Sequence, residues 1–283
     1  MDTVKNKLSM KKKILFGLLG LVVAMFTMTA CSNDDDDNNG GVASGLKLTS
    51  IERVGNGGEW EEKITNTYDK QGRIIKYFRH DEKGTVTYTY DYQDNTIKIT
   101  EYDDDVEGTT TKYTLENGLI TKGVVTNDEG EVVGNSNFSY DKDRQLVSIV
   151  GNEGNYYVYE ETIVWKDGNI ESYIHKYGSS QSSGSSIQCT CKYISESAVK
   201  GLVVDLDGID LGNFDDQDYM LFKLGYFGKQ PKNLLASIHK KEGTSESDDI
   251  YTYGFEGKDG YVSSRTKNSG KWGSTYVDKY TWE

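Results

Sequence analysis

From residue 47 onward, apolar and polar side chains alternate with a period of two in short runs. In "TVTYTYDY" (85–92), Val86 and three tyrosines fall on one face, whereas three threonines and Asp91 fall on the other. The runs 95–100, 109–115 and 156–165 follow the same pattern. Because successive side chains of a strand point to opposite sides, the pattern predicts β-strands with one buried and one solvated face.

Turn signals rich in Asp, Asn and Gly separate these runs and form two interleaved sets. One set lies at 69–72, 91–95, 116–118, 141–144 and 166–168, and the other at 81–84, 105–108, 127–130 and 152–155. A spacing of about ten to fourteen residues is typical of consecutive strands in an all-β domain. We therefore expect an antiparallel meander of about 14–16 short strands, with the two sets at opposite ends and a hairpin as the repeating unit. Since sheets of more than ~10 strands tend to curl, close or split, the predicted fold class is all-β, curled into a barrel-like or closed sheet.

The stretch "YDKQGRIIKY" (68–77) illustrates how one of these turn signals sets the geometry of a hairpin. Asp69 and Gly72 occupy the first and fourth positions of a predicted type I turn. An Asp side chain can cap such a turn, and a Gly accepts the positive φ that a following G1 bulge requires. The stretch predicts the geometry of a hairpin and no chemistry.

One segment interrupts the alternation, between about Ser195 and Leu235. Within it, Met220, Leu224 and Phe227 recur at i, i+4 and i+7, which indicates one apolar helical face. Asn213 is the predicted N-cap, and Gly228 followed by Pro231 is the predicted stop. The sequence thus predicts one short helix near 214–227 that packs onto the sheet.

The N-terminus carries export signals. Three lysines (11–13) precede the apolar run 14–28, which is too short to cross a bilayer and reads as the hydrophobic part of a signal peptide. "MTAC" (28–31) resembles the lipobox of bacterial lipoproteins, so residues 1–30 are expected to be removed and Cys31 to be lipidated. An ordinary cleavage site that leaves an odd thiol is the alternative.

Residues 31–46 are polar, acidic and rich in Gly, and their composition predicts a flexible tether ahead of a single β-domain, 47–283. Asp34, Asp35, Asp36 and Asp37 resemble the acidic export signal of surface-exposed Bacteroidetes lipoproteins; simple solvating charge is the alternative. We expect a lipid-anchored outer-membrane protein at the cell surface.

Charge narrows the choice of partners. Residues 1–30 contain five of the 32 basic and one of the 45 acidic residues, so the mature chain has 27 and 44, a net charge of −17. Such a chain repels phosphate backbones, and no nucleic-acid partner is expected.

Candidate chemistry is sparse. His80, His175 and His239 lie in separate strands without a metal-ligand or catalytic spacing, and each is read as solvent-facing or half-buried. Cys189 and Cys191 are read as two half-buried strand residues on one face, since a second Cys pair for a metal site is lacking. "DLDGID" (205–210) departs from the calcium-loop pattern and is read as an acidic loop. We assign no catalytic residue, no metal and no cofactor.

The C-terminal half carries a family resemblance. "LGYFGKQPKNLLASI", followed by "YTYGFEGKDGYVSS" and an aromatic last strand, resembles a Bacteroidetes lipoprotein family of unknown function, domain of unknown function 4595, described as porin-like. The resemblance covers residue 47 to the end, and its clearest marker is G-K-x-x-K-N-L at Gly228 to Leu234. Members often carry Pro after that Leu, where this chain has Leu235. The resemblance implies a porin-like fold and carries no activity over.

Two classes of function are compatible with the sequence, and a third is less favoured. The first is a non-catalytic surface module that binds a ligand, for example a glycan stacked on rings of the wet face, or scaffolds an envelope protein. The second is a hydrolase that uses paired carboxylates on an extracellular polymer. A membrane-spanning barrel is the third, disfavoured because neither strand face is apolar throughout.

Overall fold

Sixteen β-strands and one α-helix make up the described part of the chain. The computed structural model describes residues 45–154, 157–179, 184–197, 216–255, 260–271 and 273–283. Every strand pairs in antiparallel fashion with its neighbours in sequence, and β1 pairs with β16, so that the sheet closes into a barrel. The elements are β1 Leu48–Gly55, β2 Trp60–Tyr68, β3 Ile74–Asp81, β4 Gly84–Gln93, β5 Thr96–Asp103, β6 Val106–Glu116, β7 Leu119–Thr126, β8 Val132–Tyr140, β9 Leu146–Glu153, β10 Tyr157–Lys166, β11 Asn169–Ser179, β12 Ser185–Ser197, α1 Asp216–Lys223, β13 Asn233–Glu242, β14 Ser245–Gly254, β15 Ser264–Ser269 and β16 Ser274–Trp282. The all-β class, the strand count and the closed sheet are confirmed.

The two sets of turns lie at opposite ends of the barrel, because every connection reverses the chain. We call one end the helix end: it carries the first set of turns, the β12–β13 connection with α1, the start of β1 and the end of β16. The other end, which we call the distal end, carries the turns at 56–59, 82–83, 104–105, 127–131 and 243–244. Each pair of strands that shares a distal turn forms one hairpin repeat, and eight repeats build the barrel.

Local turn chemistry sets the direction of the strands. Gly72 has φ 78°, and its N–H donates to the Asp69 carbonyl at 3.0 Å. The Asp69 carboxylate accepts from the Arg73 N–H at 2.9 Å, which links the two sides of the turn. The two-residue turns at 104–105, 117–118 and 167–168 have positive φ at both positions, as type I′ hairpins require.

A repeated hydrogen bond ties the hairpins together at the helix end. A Tyr or Trp at or near the end of a repeat donates from its side chain to the backbone carbonyl of a buried Leu, Ile or Val 18–23 residues earlier, at 2.6–2.9 Å. We call these bonds aromatic latches. Six repeats have one, and the pairs are Tyr68–Leu48, Tyr140–Ile120, Trp165–Leu146, Tyr193–Ile170, Tyr253–Leu235 and Trp282–Val262.

The α1 segment packs into the helix end of the barrel. Phe227 places its ring 5.1 Å from that of Phe138 and 5.5 Å from that of Tyr113, whose hydroxyl donates to buried Asp218 at 2.7 Å. The backbone of Tyr226, Lys229 and Lys232 then bonds to Ile120, Arg144 and Gly168 in turn. The segment therefore spans several strand ends and covers the apolar interior there.

The helix is shorter than the sequence indicated. It ends at Lys223, because Gly225 has φ 82° and its N–H donates to Phe222, while that of Tyr226 donates to Leu221. These two bonds form a Schellman motif, so Gly225 and not Gly228 supplies the stop. The predicted end at 227 was wrong for this reason, and the predicted N-cap Asn213 lies outside the described residues.

Candidate binding site at the distal end

The barrel interior changes character along its axis. Toward the helix end the inward side chains are apolar and nearly inaccessible, for example Ile64, Ile97 and Tyr173. Toward the distal end, charged residues occupy positions on the strands that also point into the barrel. These include Arg53, Glu62, Arg79, Glu161, His175, Lys240, Asp249, Arg265, Lys267 and Asp278.

The largest charged network is centred on Asp278 of β16. Arg53 Nε contacts its Oδ1 at 2.8 Å, Arg265 contacts its Oδ2, and the Tyr280 hydroxyl donates to Oδ2 at 3.0 Å. Burial alone would raise the pKa of Asp278, but the two guanidinium groups and these hydrogen bonds outweigh it and lower the pKa to about 2. Arg53 also reaches Glu62 at 3.2 Å, extending the network to β2.

A second network lies on the adjoining strands. Asp249 of β14 has Lys240 of β13 at 3.4 Å and Lys267 of β15 at 4.0 Å. Arg79 adds a further contact to Glu62 at 3.7 Å in the first network. Together the two networks hold five cations and three carboxylates, and with the inward carboxylates of Asp81 and Glu242 the charges on the wall formed by β13–β16 and β1–β3 balance.

The wall formed by β10 and β11 is different. Glu161 and His175 face each other at 2.9 Å, both buried. The His175 ring stacks on Tyr177 with centroids 5.0 Å apart, and Tyr177 lies 6.2 Å from Tyr157. This wall therefore presents a line of stacked rings over a buried acid.

Two further rings lie beside the Asp278 network, at the edge of the distal end. Trp60 and Tyr276 have ring centroids 5.6 Å apart, and both are paired with Gly55 of β1. Three atoms of the indole lie 2.0–2.4 Å from where a Cβ of Gly55 would be, so the ring lies directly over this glycine. Only Gly leaves the space for the indole to cross β1 toward Tyr276.

Comparison with known proteins places the fold. The family model described as "Domain of unknown function (DUF4595) with porin-like fold" matches residues 67–264. The chain belongs to this family. Two solved porin-like proteins are similar in fold: one from Bacteroides uniformis (17% identity, TM-score 0.61) and one from Bacteroides vulgatus (14%, 0.59). Each comparison covers 83% of this chain and 98% of the other, and no curated protein matches.

The G-K-x-x-K-N-L marker of the DUF4595 resemblance has a structural role. Gly228 has φ 89°, and a Cβ there would lie 2.4 Å from the Arg144 carbonyl, which in turn accepts from the Lys229 N–H. Asn233 bonds to Asn169 through its backbone N–H at 3.0 Å. Leu235, where family members often carry Pro, lies within β13 opposite Tyr193. The marker thus fixes the α1 segment onto the helix end of the barrel.

The residues singled out in the sequence do not converge on a site. Cys31, Asp34, Asp35, Asp36, Asp37 and the acidic loop 205–210 lie outside the described residues, and Asp69 and Gly72 form a turn at the helix end. His80 is exposed and His239 is half-buried, as expected. His175 is only 4% exposed, and the prediction that it is solvent-facing or half-buried was therefore wrong. It is buried because its strand phase points inward, toward Glu161.

Cys189 and Cys191 share the inward face, as their spacing predicts, but they are fully buried and not half-buried, with exposures of 1% and 8%. Burial raises the pKa of the Cys191 thiol to about 12. Neither forms a disulfide bond. Among the described residues there is no group of three or more His, Cys, Asp or Glu side chains that could hold a metal ion, and no helix long and apolar enough to cross a membrane.

Sequence reasoning missed the charged interior. The signal was present: Glu161 lies in phase with Tyr159 and Ile163 within one strand. A charged residue on the face that otherwise carries the apolar residues marks a buried charge that needs a partner. Tyr88 and Tyr90, which the alternation places on the apolar face, point into the barrel and are buried as predicted. Rings that could stack on a ligand must therefore be sought among the partly exposed ones at the distal edge.

Proposed function

We propose that this chain is a lipid-anchored protein of the bacterial outer membrane that binds a ligand at the distal end of its barrel without turning it over. A glycan is the favoured class of ligand, and an envelope protein is the alternative partner. The observation that supports this most directly is the set of charged and aromatic side chains facing inward at the distal end, opposite the start of β1 and the end of β16.

The position of the N-terminal strand supports the orientation. Lys47 and Glu283 exchange two backbone hydrogen bonds of 2.6 and 2.9 Å at the helix end, where β1 starts. The predicted lipid site, Cys31, precedes β1 by 17 residues. A tether of about fourteen residues has a root-mean-square reach of about 20 Å. An anchor at this end would hold the helix end toward the membrane and the distal end away from it.

The outer face of the barrel supports an anchored protein over a membrane-spanning barrel. Charged side chains lie exposed along several strands. Glu160 pairs with Lys176 at 3.4 Å within β10 and β11, and Lys241 pairs with Glu246 at 2.9 Å next to the distal turn at 243–244. Lys98 faces Lys112 across β5 and β6. A lipid-facing barrel needs a continuous apolar band about 25 Å tall, and charges within it are costly.

The inward carboxylates support binding over hydrolysis. Glycosidase chemistry needs one carboxylic acid that stays protonated because its pKa is raised. Asp278, by contrast, contacts two guanidinium groups that lower its pKa, and Asp249 and Glu62 each contact two cations. These acids are suited to holding cationic side chains in place.

A glycan array and a turnover assay test the proposal on the same material. The mature chain with Cys31→Ser, which lacks only the lipid site, is applied to the array and to extracts of envelope protein, and is then incubated with every glycan it binds. We expect saturable binding and no new reducing ends. Saturable turnover that disappears when one Asp or Glu is changed would refute the proposal in favour of a hydrolase. The absence of any ligand in both screens would also contradict it.

A further inference from the structure

The pair Trp60–Tyr276 is built to expose a ring face at the distal edge. Because the indole lies over Gly55 with one face, its other face is directed away from β1, and both rings are half-exposed. Buried rings also lie over cross-strand glycines in the core, as Tyr113 does over Gly123, but the ring of Trp60 differs from them because it stays partly exposed. A half-exposed ring that is fixed from below offers an apolar surface at little cost in conformational entropy.

Cationic groups flank this ring pair. Lys267 Nζ lies 5.8 Å from the Tyr276 ring centroid, and Lys267 pairs with Tyr276 across β15 and β16. Arg53 is the next inward residue after Gly55 on β1, and its guanidinium is fixed by Asp278 and Glu62. The side chains of Arg53 and Lys267 are 17% and 11% exposed, so each keeps a small accessible surface.

We propose that Trp60, Tyr276, Arg53 and Lys267 form a binding site for a sugar that carries a carboxylate, such as a uronic acid. The proposal rests on the function proposed above and names its ligand class. The apolar C–H face of the pyranose stacks on Trp60, and the carboxylate lies toward Arg53 and Lys267. Guanidinium groups suit this task because their planar fork matches a carboxylate.

Charge decides between a carboxylated sugar and more highly charged ligands. The mature chain has a net charge of −17, which disfavours polyphosphates and nucleotides at long range. Locally, however, a group bound on the ring pair lies beside two cationic side chains, Lys267 and Arg53. A neutral ring with a single negative charge gains from the networks and is repelled least by the rest of the surface.

Oligosaccharides of matched shape test the site by titration calorimetry. The probes are tetragalacturonate, its fully methyl-esterified form, and adenosine monophosphate as an aromatic phosphate. With the mature Cys31→Ser chain we expect tetragalacturonate to bind at least tenfold more tightly than the ester, and the nucleotide to bind more weakly than both. Tighter binding of the nucleotide, or equal binding of acid and ester, would overturn the assignment of the ligand.

Variants assign the residues. Trp60→Ala should weaken binding of acid and ester at least tenfold, and Gly55→Ala should do the same with the indole retained, because the new Cβ displaces it. Lys267→Met should abolish the preference for the acid and leave ester binding unchanged. Tyr102→Ala, on the outer face of β5, is the control and should change neither. Thermal melts of each variant verify folding, and a folded Trp60→Ala protein with wild-type binding would refute the site.

The outcomes separate this inference from the proposed function. A glycan that binds on the array without a carboxylate, and with the same affinity to Trp60→Ala, would overturn the site and leave the binding function standing. Failure to bind any glycan or envelope protein would overturn both.

Discussion

The Asp278 carboxylate lies between the guanidinium groups of Arg53 and Arg265, and this arrangement makes stability depend on pH. Since its pKa is lowered to about 2, its contribution is fully present above the unfolded value of about 4 and is lost as pH falls from about 4 to 2. The shift corresponds to roughly 2 kcal/mol of unfolding free energy.

Denaturant unfolding at a series of pH values measures this contribution by difference. Asp278→Asn should be less stable than wild type by about 3 kcal/mol at pH 7, because two buried guanidinium groups lose their partner, and the gap should narrow by roughly 2 kcal/mol by pH 2. Asp128→Asn, exposed in the distal turn at 127–131, is the control and should run parallel to wild type. A gap for Asp278→Asn that is constant with pH would contradict this account.

Gly72 carries a different kind of constraint, in the backbone. At φ 78°, a β-branched residue is strained, and Gly72→Val should lower the unfolding free energy by at least ~1–2 kcal/mol. Lys70→Ala, in the same turn but exposed, should cost little. Thermal melts of the two variants side by side measure the difference. Equal melting temperatures for the two variants would show that a side chain at position 72 is tolerated and that the strain argument is wrong.

At the scale of single elements, the aromatic latch is the recurring unit. Tyr140 and Tyr193 each bond to a carbonyl at the start of their own repeat, at 2.6 and 2.9 Å. Tyr140→Phe and Tyr193→Phe should each cost about 1 kcal/mol. Since β8 and β12 lie four strands, or ~19 Å, apart along the sheet, the double variant should lose the sum.

The unfolding free energies of the two single variants and the double variant are compared in denaturant. Tyr102→Phe, an outward-facing tyrosine on β5, is the matched control and should be near neutral. A double variant that loses much more than the sum of the two single losses would show that these two separate repeats depend on one another.

The elements could be predicted because their signals are local. The alternation in 85–92 and the Asp–Gly spacing at 69–72 depend on residues a few positions apart, and the structure has strands and a turn there. The helix end was misplaced because Gly225 and Gly228 are both possible stops, and the contacts of Phe222 and Leu221 decide between them. The latches depend on partners about twenty residues apart, which the alternation does not specify.

At the scale of the whole molecule, the candidate site could not be predicted from the sequence, and the reason is physical. Strand phase assigns Arg53 and Lys267 to the inward face, but only the closure of β1 on β16 brings them to either side of Tyr276. The closure depends on pairing between residues more than 200 positions apart. The size and shape of the sheet, and not its composition, create the ring pair and the charged wall.

The proposed orientation predicts different access to the two ends of the barrel. Cysteines introduced at Lys83, in a distal turn, and at Lys142, in a helix-end turn, are exposed, whereas the native Cys189 and Cys191 are buried. On intact cells, a bulky maleimide polymer should label Lys83→Cys faster than Lys142→Cys, because the tether of about 20 Å keeps the helix end close to the membrane.

Removing the anchor provides the control. In the Cys31→Ser background the protein should move from the membrane to the soluble fraction, and the two sites should label at equal rates. Asp34 to Asp37 replaced by Ala should keep the protein membrane-bound but slow the labelling of both sites on cells. A Cys31→Ser protein that stays in the membrane after a carbonate wash, or faster labelling at Lys142→Cys on cells, would contradict the orientation.

The seam between β1 and β16 has a consequence for biosynthesis. The first strand pairs with the last, so a growing or translocating chain cannot close its barrel until residue 282 has emerged. Until then β1 and the most recently added strand both have unpaired backbone groups, the kind of edge that recruits other chains. Closing a loop of more than 200 residues is also slow compared with forming each hairpin. A chain that loses only its final nine residues therefore retains fifteen complete strands but has two unpaired sheet edges. Premature termination would yield an open sheet that aggregates, and not a smaller barrel.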